Sequence, residues 1–365
     1  MKNKKVLIIA IVAVVVVLAV VLGVVLGGGN NTPDPTPAAD KEYKLGLGVA
    51  FGDFTNAQIN ATAATVVLDD AGKIVACRID TIQNKFSADE EEVNFSNLKT
   101  KMELGAAYGM STSPYSPDLN GDGVVKEWFE QAKAFENWVV GKTATQVKNM
   151  KLQTASNGYI IADEKDLLDA GCTISIEEFR DAVVNACNDS QSTTFKTSET
   201  FKLGLAINNG DNGSSVSEEG GYTVKMNSDI AATVVAGGKI LASLNDAMQP
   251  QVDVDGEGNV TAQSVGKGAG VLKTKRELGT TYGMSTSPYS PDLNGDGVVK
   301  EWNEQSAAFS AHVKGMTKAQ VQAMPTQTAS NGYTISNDKA LLDAGCTIQI
   351  TGIINVVVKS IDNAR

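Results

Sequence analysis

The sequence predicts an α+β fold in which an N-terminal transmembrane helix is followed by two tandem homologous domains, each an antiparallel sheet with packed helices. Three observations lead to this expectation. They are an uncharged apolar run near the N-terminus, a long internal repeat, and a change from strand-like to helix-like apolar spacing inside each repeat. At 365 residues the chain is long enough to bury a core in each of two domains.

The apolar run is VLIIAIVAVVVVLAVVLGVVLG at residues 6–27, and it contains no charged residue. A helix of this length rises roughly 30 Å, the thickness of a bilayer core. The basic flank MKNKK is expected to stay inside, which predicts a single-pass cell-membrane protein with the bulk of the chain extracytoplasmic. A cleaved signal peptide is the alternative, but its apolar region is usually only about 7–15 residues long.

The internal repeat sets the predicted domain boundaries. YGMSTSPYSPDLNGDGVVKEW occupies residues 108–128 and returns unchanged at 282–302, and from about Lys99 onward the offset is constant at 174. KLGLGV at Lys44 likewise pairs with KLGLAI at Lys202, with extra loop residues expected near 208–221 in the second copy. The division is a membrane anchor at 1–29, a linker at 30–41, repeat domain 1 at 42–189 and repeat domain 2 at 190–365. Two units this long are tandem domains rather than solenoid turns.

Each repeat begins with predicted strands. Residues 59–68 alternate and are rich in Ala, Thr and Val, and DDAGK followed by KIVACRI completes a hairpin, with 44–51 as a neighbouring strand. The spacing then becomes helical. Trp128, Ala132, Phe135 and Val139 fall on one stripe of a helix.

The remaining elements are predicted from their end signals. Thr143-x-x-Gln146 is a capping box that starts a second helix, and Thr317-x-x-Gln320 repeats it. Residues 163–169 are expected to form a short helix that Gly171 ends, and CTISI to form a strand. Ser175 is expected to cap a final helix, Glu177–Cys187.

The loop DLNGDG, present in both copies, has the ligand spacing of an EF-hand or dockerin calcium loop. Hard oxygen ligands at alternate positions before a turning glycine suit Ca²⁺. Position 12 carries no acid, so a nearby glutamate would have to close the shell. The alternative is an Asx turn without metal. The candidate ligands in the two copies are Asp118, Asn120, Asp122, Val124, Glu127 and Glu130, and Asp292, Asn294, Asp296, Val298, Glu301 and Glu304.

Composition argues against several other functions. The formal net charge of −11, without a Lys/Arg cluster, predicts no nucleic-acid partner. His312 is the only histidine, which removes Ser-His-Asp and Cys-His chemistry, and no carboxylate pair stands out, so we expect no catalytic residues and no enzyme. The four cysteines form no CxxC, and a Cys77–Cys187 disulfide remains open.

In order along the chain, the DDAGKI hairpin, KMELGAAYGM, EWFEQAKAF, VVGKT and a late Gly-x-Thr before the last helix resemble the FMN-binding domains of Gram-positive envelope proteins. The resemblance implies flavin attached through phosphate to a threonine in a motif like Asp-x-x-Ser-Gly-Ala-Thr. The matching positions are Gly171 and Thr173, and Gly345 and Thr347, with the motif's Ser replaced by Ala and its Ala by Cys.

Together these features predict a membrane-anchored extracytoplasmic binding or structural surface protein whose tandem domains are stabilised by Ca²⁺. The membrane itself would be one partner, through the N-terminal helix, and an envelope or surface component another. An FMN-carrying electron-transfer protein of the envelope is the alternative.

Overall fold

The computed structural model describes residues 39–113, 118–265, 270–287 and 292–365, and the part from Ala39 to Arg365 is one compact α+β unit. The predicted membrane helix at 6–27 lies outside these residues. Among the residues that are described, no helix is long and apolar enough to cross a membrane. On this finding we correct the expectations of an N-terminal transmembrane helix and of a single-pass membrane protein, because the structure does not support either.

The described residues of the first repeat form a large antiparallel sheet, a small two-stranded sheet and five helices. The strands are β1 (Lys41–Phe54), β2 (Gln58–Leu68), β3 (Ile74–Ala88), β4 (Val93–Phe95), β5 (Leu152–Thr154), β6 (Ile160–Ala162) and β7 (Thr193–Thr197). The helices are α1 (Lys101–Leu104), α2 (Trp128–Val139), α3 (Ala144–Lys148), α4 (Lys165–Asp169) and α5 (Glu177–Cys187), with 3-10 turns at Gly105–Tyr108 and Met110–Thr112.

The second repeat has the same order of elements with additional strands. These strands are β8 (Lys202–Asp211), β9 (Ser215–Val216), β10 (Tyr222–Ala236), β11 (Lys239–Met248), β12 (Pro250–Val254), β13 (Val260–Val265), β14 (Thr326–Thr328) and β15 (Thr334–Ser336). The helices are α6 (Lys275–Leu278), α7 (Trp302–His312), α8 (Lys318–Gln322), α9 (Lys339–Asp343) and α10 (Thr351–Asp362), with a 3-10 turn at Gly279–Tyr282.

The sheets are antiparallel meanders. In the first, the strand order is β4-β3-β2-β1-β7, so β7 joins the first sheet although it follows the predicted boundary at 189. In the second, β10 pairs with β11 and β8 at one end and with β12 and β9 at the other. The predicted hairpin of β2 and β3 is confirmed, with Val67 opposite Ala76.

The two sheets face each other across a shared core. Leu45 and Leu47 of β1 belong to the same buried cluster as Leu203 and Leu205 of β8. The outer face of each sheet packs on its own helices, with Phe135 in the first repeat and Phe309 in the second fully buried. The helices approach closely: a Cβ on Gly204 would lie 1.8 Å from the carbonyl oxygen of Ser360 in α10. The order of layers is therefore helix, sheet, sheet, helix.

Most predicted helix signals are confirmed. Helix α2 spans the predicted stripe, and capping boxes at Thr143 and Thr317 start α3 and α8. Two expectations are wrong. CTISI is not a strand, because it turns from the end of α4 directly into α5, and Ser175 does not cap α5, whose first turn follows Ile176 without a side-chain cap.

Candidate functional site

Each repeat holds a lysine between two aromatic rings at the start of its first short helix. The ammonium nitrogen of Lys101 lies 5.0 Å from the centroid of Tyr108 and 5.6 Å from that of Trp128. The matching distances from Lys275 are 5.2 Å to Tyr282 and 5.4 Å to Trp302. Cation–π attraction holds the ammonium group over the rings, and burial lowers the pKa of both lysines to about 8.

A buried aspartate fixes the turn that carries each lysine. The carboxylate of Asp80 accepts a hydrogen bond from the backbone N–H of Met102 at 3.2 Å, and that of Asp246 accepts from the N–H of Arg276 at 3.1 Å. Thr100 forms a capping box at the same helix start. Burial raises the pKa of Asp80 to about 7 and that of Asp246 to about 6.

The threonines that the flavin resemblance singles out are held by buried glutamines. The backbone N–H of Thr347 donates to Oε1 of Gln305 at 2.7 Å, and its hydroxyl lies 3.3 Å from the same oxygen. Gln131 holds Thr173 in the same way. Gly345 has φ +77° at the end of α9, a conformation that glycine adopts without strain, and Gly171 does the same after α4 as predicted.

A cleft of about 610 Å³ opens on the second repeat and brings several of these groups together. Such a volume is in the range of small-molecule and cofactor sites. Its wall includes Thr347, the lysine with its two rings, and a row of amide side chains. The residues that matter for the site are Asn208, Asn209, Asp211, Asp229, Gln249, Lys275, Tyr282, Trp302, Gln305, Tyr333, Thr347 and Gly352.

The corresponding space in the first repeat is occupied by Glu178. A Cβ on Gly52 would lie 2.2 Å from Oε1 of Glu178, and the other carboxylate oxygen accepts a hydrogen bond from Thr62 at 2.9 Å. In the second repeat Gly352 stands 174 positions after Glu178. Nothing lies within 4 Å of a Cβ built on Gly210, the counterpart of Gly52. Loss of the glutamate side chain therefore helps to open the cleft.

The carboxylate near the lysine comes from a different element in the second repeat than in the first. Asp229 of β10 lies opposite Asn208, as Thr62 of β2 lies opposite Ala50. Coulombic attraction from Asp229 favours the charged form of Lys275, as that from Glu178 does for Lys101. Besides the buried aspartate, each repeat therefore places one further acid near its lysine, on a helix in the first repeat and on a strand in the second.

The two DLNGDG loops are tight turns closed by their own side chains. Both oxygens of Asp118 accept backbone N–H groups, from Gly121 at 2.8 Å and from Gly123 at 2.7 Å. Asp122 accepts from the N–H of Val124 at 2.8 Å, and Asn120 donates to the carbonyl oxygen of Leu168 at 3.2 Å. Asp292, Asn294 and Asp296 make the same contacts in the second repeat.

The glutamates proposed to complete the calcium shell make other contacts. Glu127 is buried and accepts N–H groups from Met110 and Ser111, while Glu130 accepts the N–H of Glu127 in a capping box. The second repeat repeats this arrangement with Glu301 and Glu304. No group of three or more His, Cys, Asp or Glu residues that could hold a metal occurs within the described ranges. The calcium site stays a prediction.

The four cysteines are free and buried, so the structure shows no Cys77–Cys187 disulfide. Sequence reasoning missed Lys275, Asp246 and Asp229. A signal for the first was present, because the repeated TK-x-EL sequence keeps a lysine directly after the capping threonine in both copies.

Comparison with known proteins gives one informative relationship. Over 199 residues the chain is 29% identical to the chlorophenol reductase of Desulfitobacterium hafniense, an alignment that covers 41% of this chain and 58% of that protein. The chain thus spans little more than half the length of this relative. No family model and no solved structure matches. This relative is named as an enzyme, and on that finding we correct the expectation that the chain is not one.

Proposed function

We propose that the chain is a redox protein that binds FMN in the cleft of the second repeat and takes part in a reductase reaction. The observation that carries this proposal is the position of Thr347 on the wall of a 610 Å³ cleft that also contains Tyr282 and Trp302. The relative named as a reductase and the flavin-like Gly-x-Thr sequence support the same chemistry.

The residues of the second-repeat cleft fit a flavin. The open space over Gly210 gives room for a planar ring system, and Tyr282 and Trp302 supply aromatic surface for it. Thr347 offers a hydroxyl at the wall, and its backbone is fixed by Gln305. In the first repeat, Glu178 lies over Gly52, so we propose flavin binding only in the second.

When bound, FMN would supply electron transfer. The contribution of this chain is to position the ring, to shield it from water with the buried Trp302 and the half-buried Tyr282, and to hold the attachment hydroxyl in place. Gln305 does the last of these because its amide also donates to the carbonyl oxygen of Lys300 at 2.7 Å, which fixes the side chain at both ends.

The first test is an intact mass and a visible spectrum of the purified chain, followed by titration with FMN. We expect a yellow protein, or quenching of FMN fluorescence on titration, and we expect Thr347→Val to remove covalent flavin. Thr173→Val is the matched control and should leave flavin content unchanged. A colourless, unmodified chain that does not quench added FMN would overturn the proposal.

Substrate turnover is tested separately. Because the relative is named for chlorophenol reduction, a chlorophenol is the first substrate to offer to the flavin-loaded chain, with a reduced viologen as electron donor. Reduction that depends on Thr347 supports a reductase. Flavin binding without turnover of any phenol would restrict the proposal to electron transfer.

A further inference from the structure

The lysine–acid arrangement is present in both repeats although its acid comes from different elements. In the first repeat α5 supplies Glu178 and β2 supplies the small Thr62. In the second, β10 supplies Asp229, and α10 has Gly352 where a side chain would collide with it. A Cβ on Gly352 would lie only 2.2 Å from Oδ2 of Asp229. With Asp229 on the strand and Gly352 on the helix, the second repeat keeps an acid near the lysine and leaves the space beside that lysine open.

Lys275 makes no salt bridge within 4.0 Å in the described part of the chain, and its ammonium group lies over two aromatic rings. It is half-buried and lines the cleft. An ammonium group carries three hydrogen-bond donors and no acceptor. In this position the donors have aromatic faces on one side and the cleft on the other.

The charge of this lysine is incompletely stabilised by its surroundings. Burial lowers its pKa to about 8, although Asp229 on β10 and Asp246 on β11 act in the opposite direction. Tyr282 of the 3-10 turn, Asp211 of β8 and Tyr333 are the other titratable groups that line the described part of the cleft. The carboxylates of Asp229 and Asp246 do not offset the burial of the ammonium group, so an anion in the cleft would stabilise its charged form further.

We propose that Lys275 is an anion-binding residue of the cleft, which takes the negative group of a planar organic anion such as an aromatic carboxylate while the ring of that ligand lies against Trp302 or Tyr282. This inference rests on the ligand-binding role proposed for the same cleft. It concerns a group other than the flavin phosphate site at Thr347, but it uses the same two rings as the proposed flavin, so it is tested with a different probe on the flavin-free chain.

The test is calorimetric titration of the full chain with benzoate and with benzamide, its neutral analogue of the same shape. We expect benzoate to bind and benzamide to bind at least about tenfold more weakly. We also expect benzoate affinity to fall about tenfold for each pH unit above the lysine pKa, because the neutral amine does not attract the carboxylate. Protonation of the nearby aspartates at low pH changes affinity in the same sense.

Lys275→Met should reduce benzoate affinity at least tenfold and remove the fall in affinity between pH 7 and 9.5, with the melting temperature reporting whether the variant is folded. Lys101→Met is the matched control and should leave affinity unchanged, because Glu178 fills the space in front of that lysine. Equal binding of benzoate and benzamide by the unmodified chain, or a flat pH profile between pH 7 and 9.5, overturns the proposal without any variant. Failure of flavin binding with benzoate still bound would overturn only the proposed function.

Discussion

The carboxylate of Asp229 in β10 fills the space that a side chain at Gly352 of α10 would need, because a Cβ on Gly352 would lie 2.2 Å from Oδ2 of Asp229. In the first repeat the large side chain is on the helix and the small one is on the strand, since Glu178 stands at the helix position and Thr62 at the strand position. The two positions are therefore coupled, and the choice between them decides whether a cleft opens.

Glutamate, the first-repeat residue, should fill the cleft and lower the stability of the fold when it is placed at position 352 of α10. Gly352→Glu places a second acid against Asp229, and we expect a loss of about 1–3 kcal/mol in the free energy of unfolding. Adding Asp229→Thr should recover at least about 1 kcal/mol of that loss, since residues in contact are not additive. Urea denaturation of both single variants and the double variant measures the coupling.

The same cycle in the first repeat is the matched control. Glu178→Gly with Thr62→Asp should show a coupling of the same sign and should create space over Gly52. Strictly additive effects in the second repeat would contradict the idea that these two positions share one volume.

Spacing was sufficient to predict two helices of the first repeat. The stripe from Trp128 to Val139 and the capping box at Thr143 depend on spacing alone, and both are present. CTISI does not form the predicted strand, because β-branched residues in so short a segment are equally suited to a buried turn between helices. The hairpin of β12 and β13 is not among the predicted elements, although the alternation of QVDVDGEGNV is a signal for it.

The site itself was only partly predictable. Thr347 was found through its Gly-x-Thr sequence, whereas the importance of Lys275 depends on burial and on rings that are 7 and 27 positions away. Asp229 was beyond sequence reasoning for another reason. Its equivalence to Thr62 follows from strand register, and the alignment of the AATVV segments places it one residue away.

A buried ion pair joins the two repeats, and removing one of its partners should be strongly destabilising. The guanidinium of Arg276 lies 3.1 Å from a carboxylate oxygen of Asp189, and each side chain is less than a tenth exposed. Asp189 also accepts the N–H of Leu47 at 3.1 Å. We expect Asp189→Ala to cost about 3–5 kcal/mol, because it leaves a buried guanidinium without its partner.

An exposed pair of similar geometry is the control for that measurement. Lys339 and Asp343 are 2.7 Å apart but are 87% and 62% exposed, so Asp343→Ala should cost less than about 0.5 kcal/mol. Chemical denaturation of both variants makes the comparison. Similar losses for the two would mean that burial does not govern the strength of the Asp189 pair.

The buried Asp80 should make stability fall as the pH rises. Its pKa is about 7 in the folded chain and near 3.8 when unfolded, so the unfolded state binds fewer protons between these values. The contribution is fully present below pH 3.8 and is lost as the pH passes 7, with a size of about 4 kcal/mol. Compared with the parent, Asp80→Asn should therefore gain relative stability from pH 4 to pH 8.

Asp246→Asn offers an internal check on this pH effect. Because the pKa of Asp246 is about 6, its relative gain should be complete at lower pH and should be smaller. Denaturant midpoints at several pH values give both curves. A difference between parent and Asp80→Asn that does not change with pH would show that Asp80 is ionised throughout.

Calcium binding by the DLNGDG loops remains a prediction with a direct test. If each loop binds Ca²⁺ in the folded state only, saturation at ten times the dissociation constant adds about 1.4 kcal/mol per site and raises the melting temperature by several degrees. Asp122→Ala with Asp296→Ala should abolish that rise, and Asp70→Ala in the exposed β2–β3 turn should not.

The loops already satisfy Asp118 with two backbone N–H groups, so the alternative is a turn that needs no ion. In that case Ca²⁺ should leave the parent's melting temperature unchanged, while the double variant should still melt lower because it loses the hydrogen bonds that Asp122 and Asp296 accept. Measuring the parent with and without Ca²⁺ therefore separates the two accounts, since only metal binding makes the stability of these loops depend on the ion.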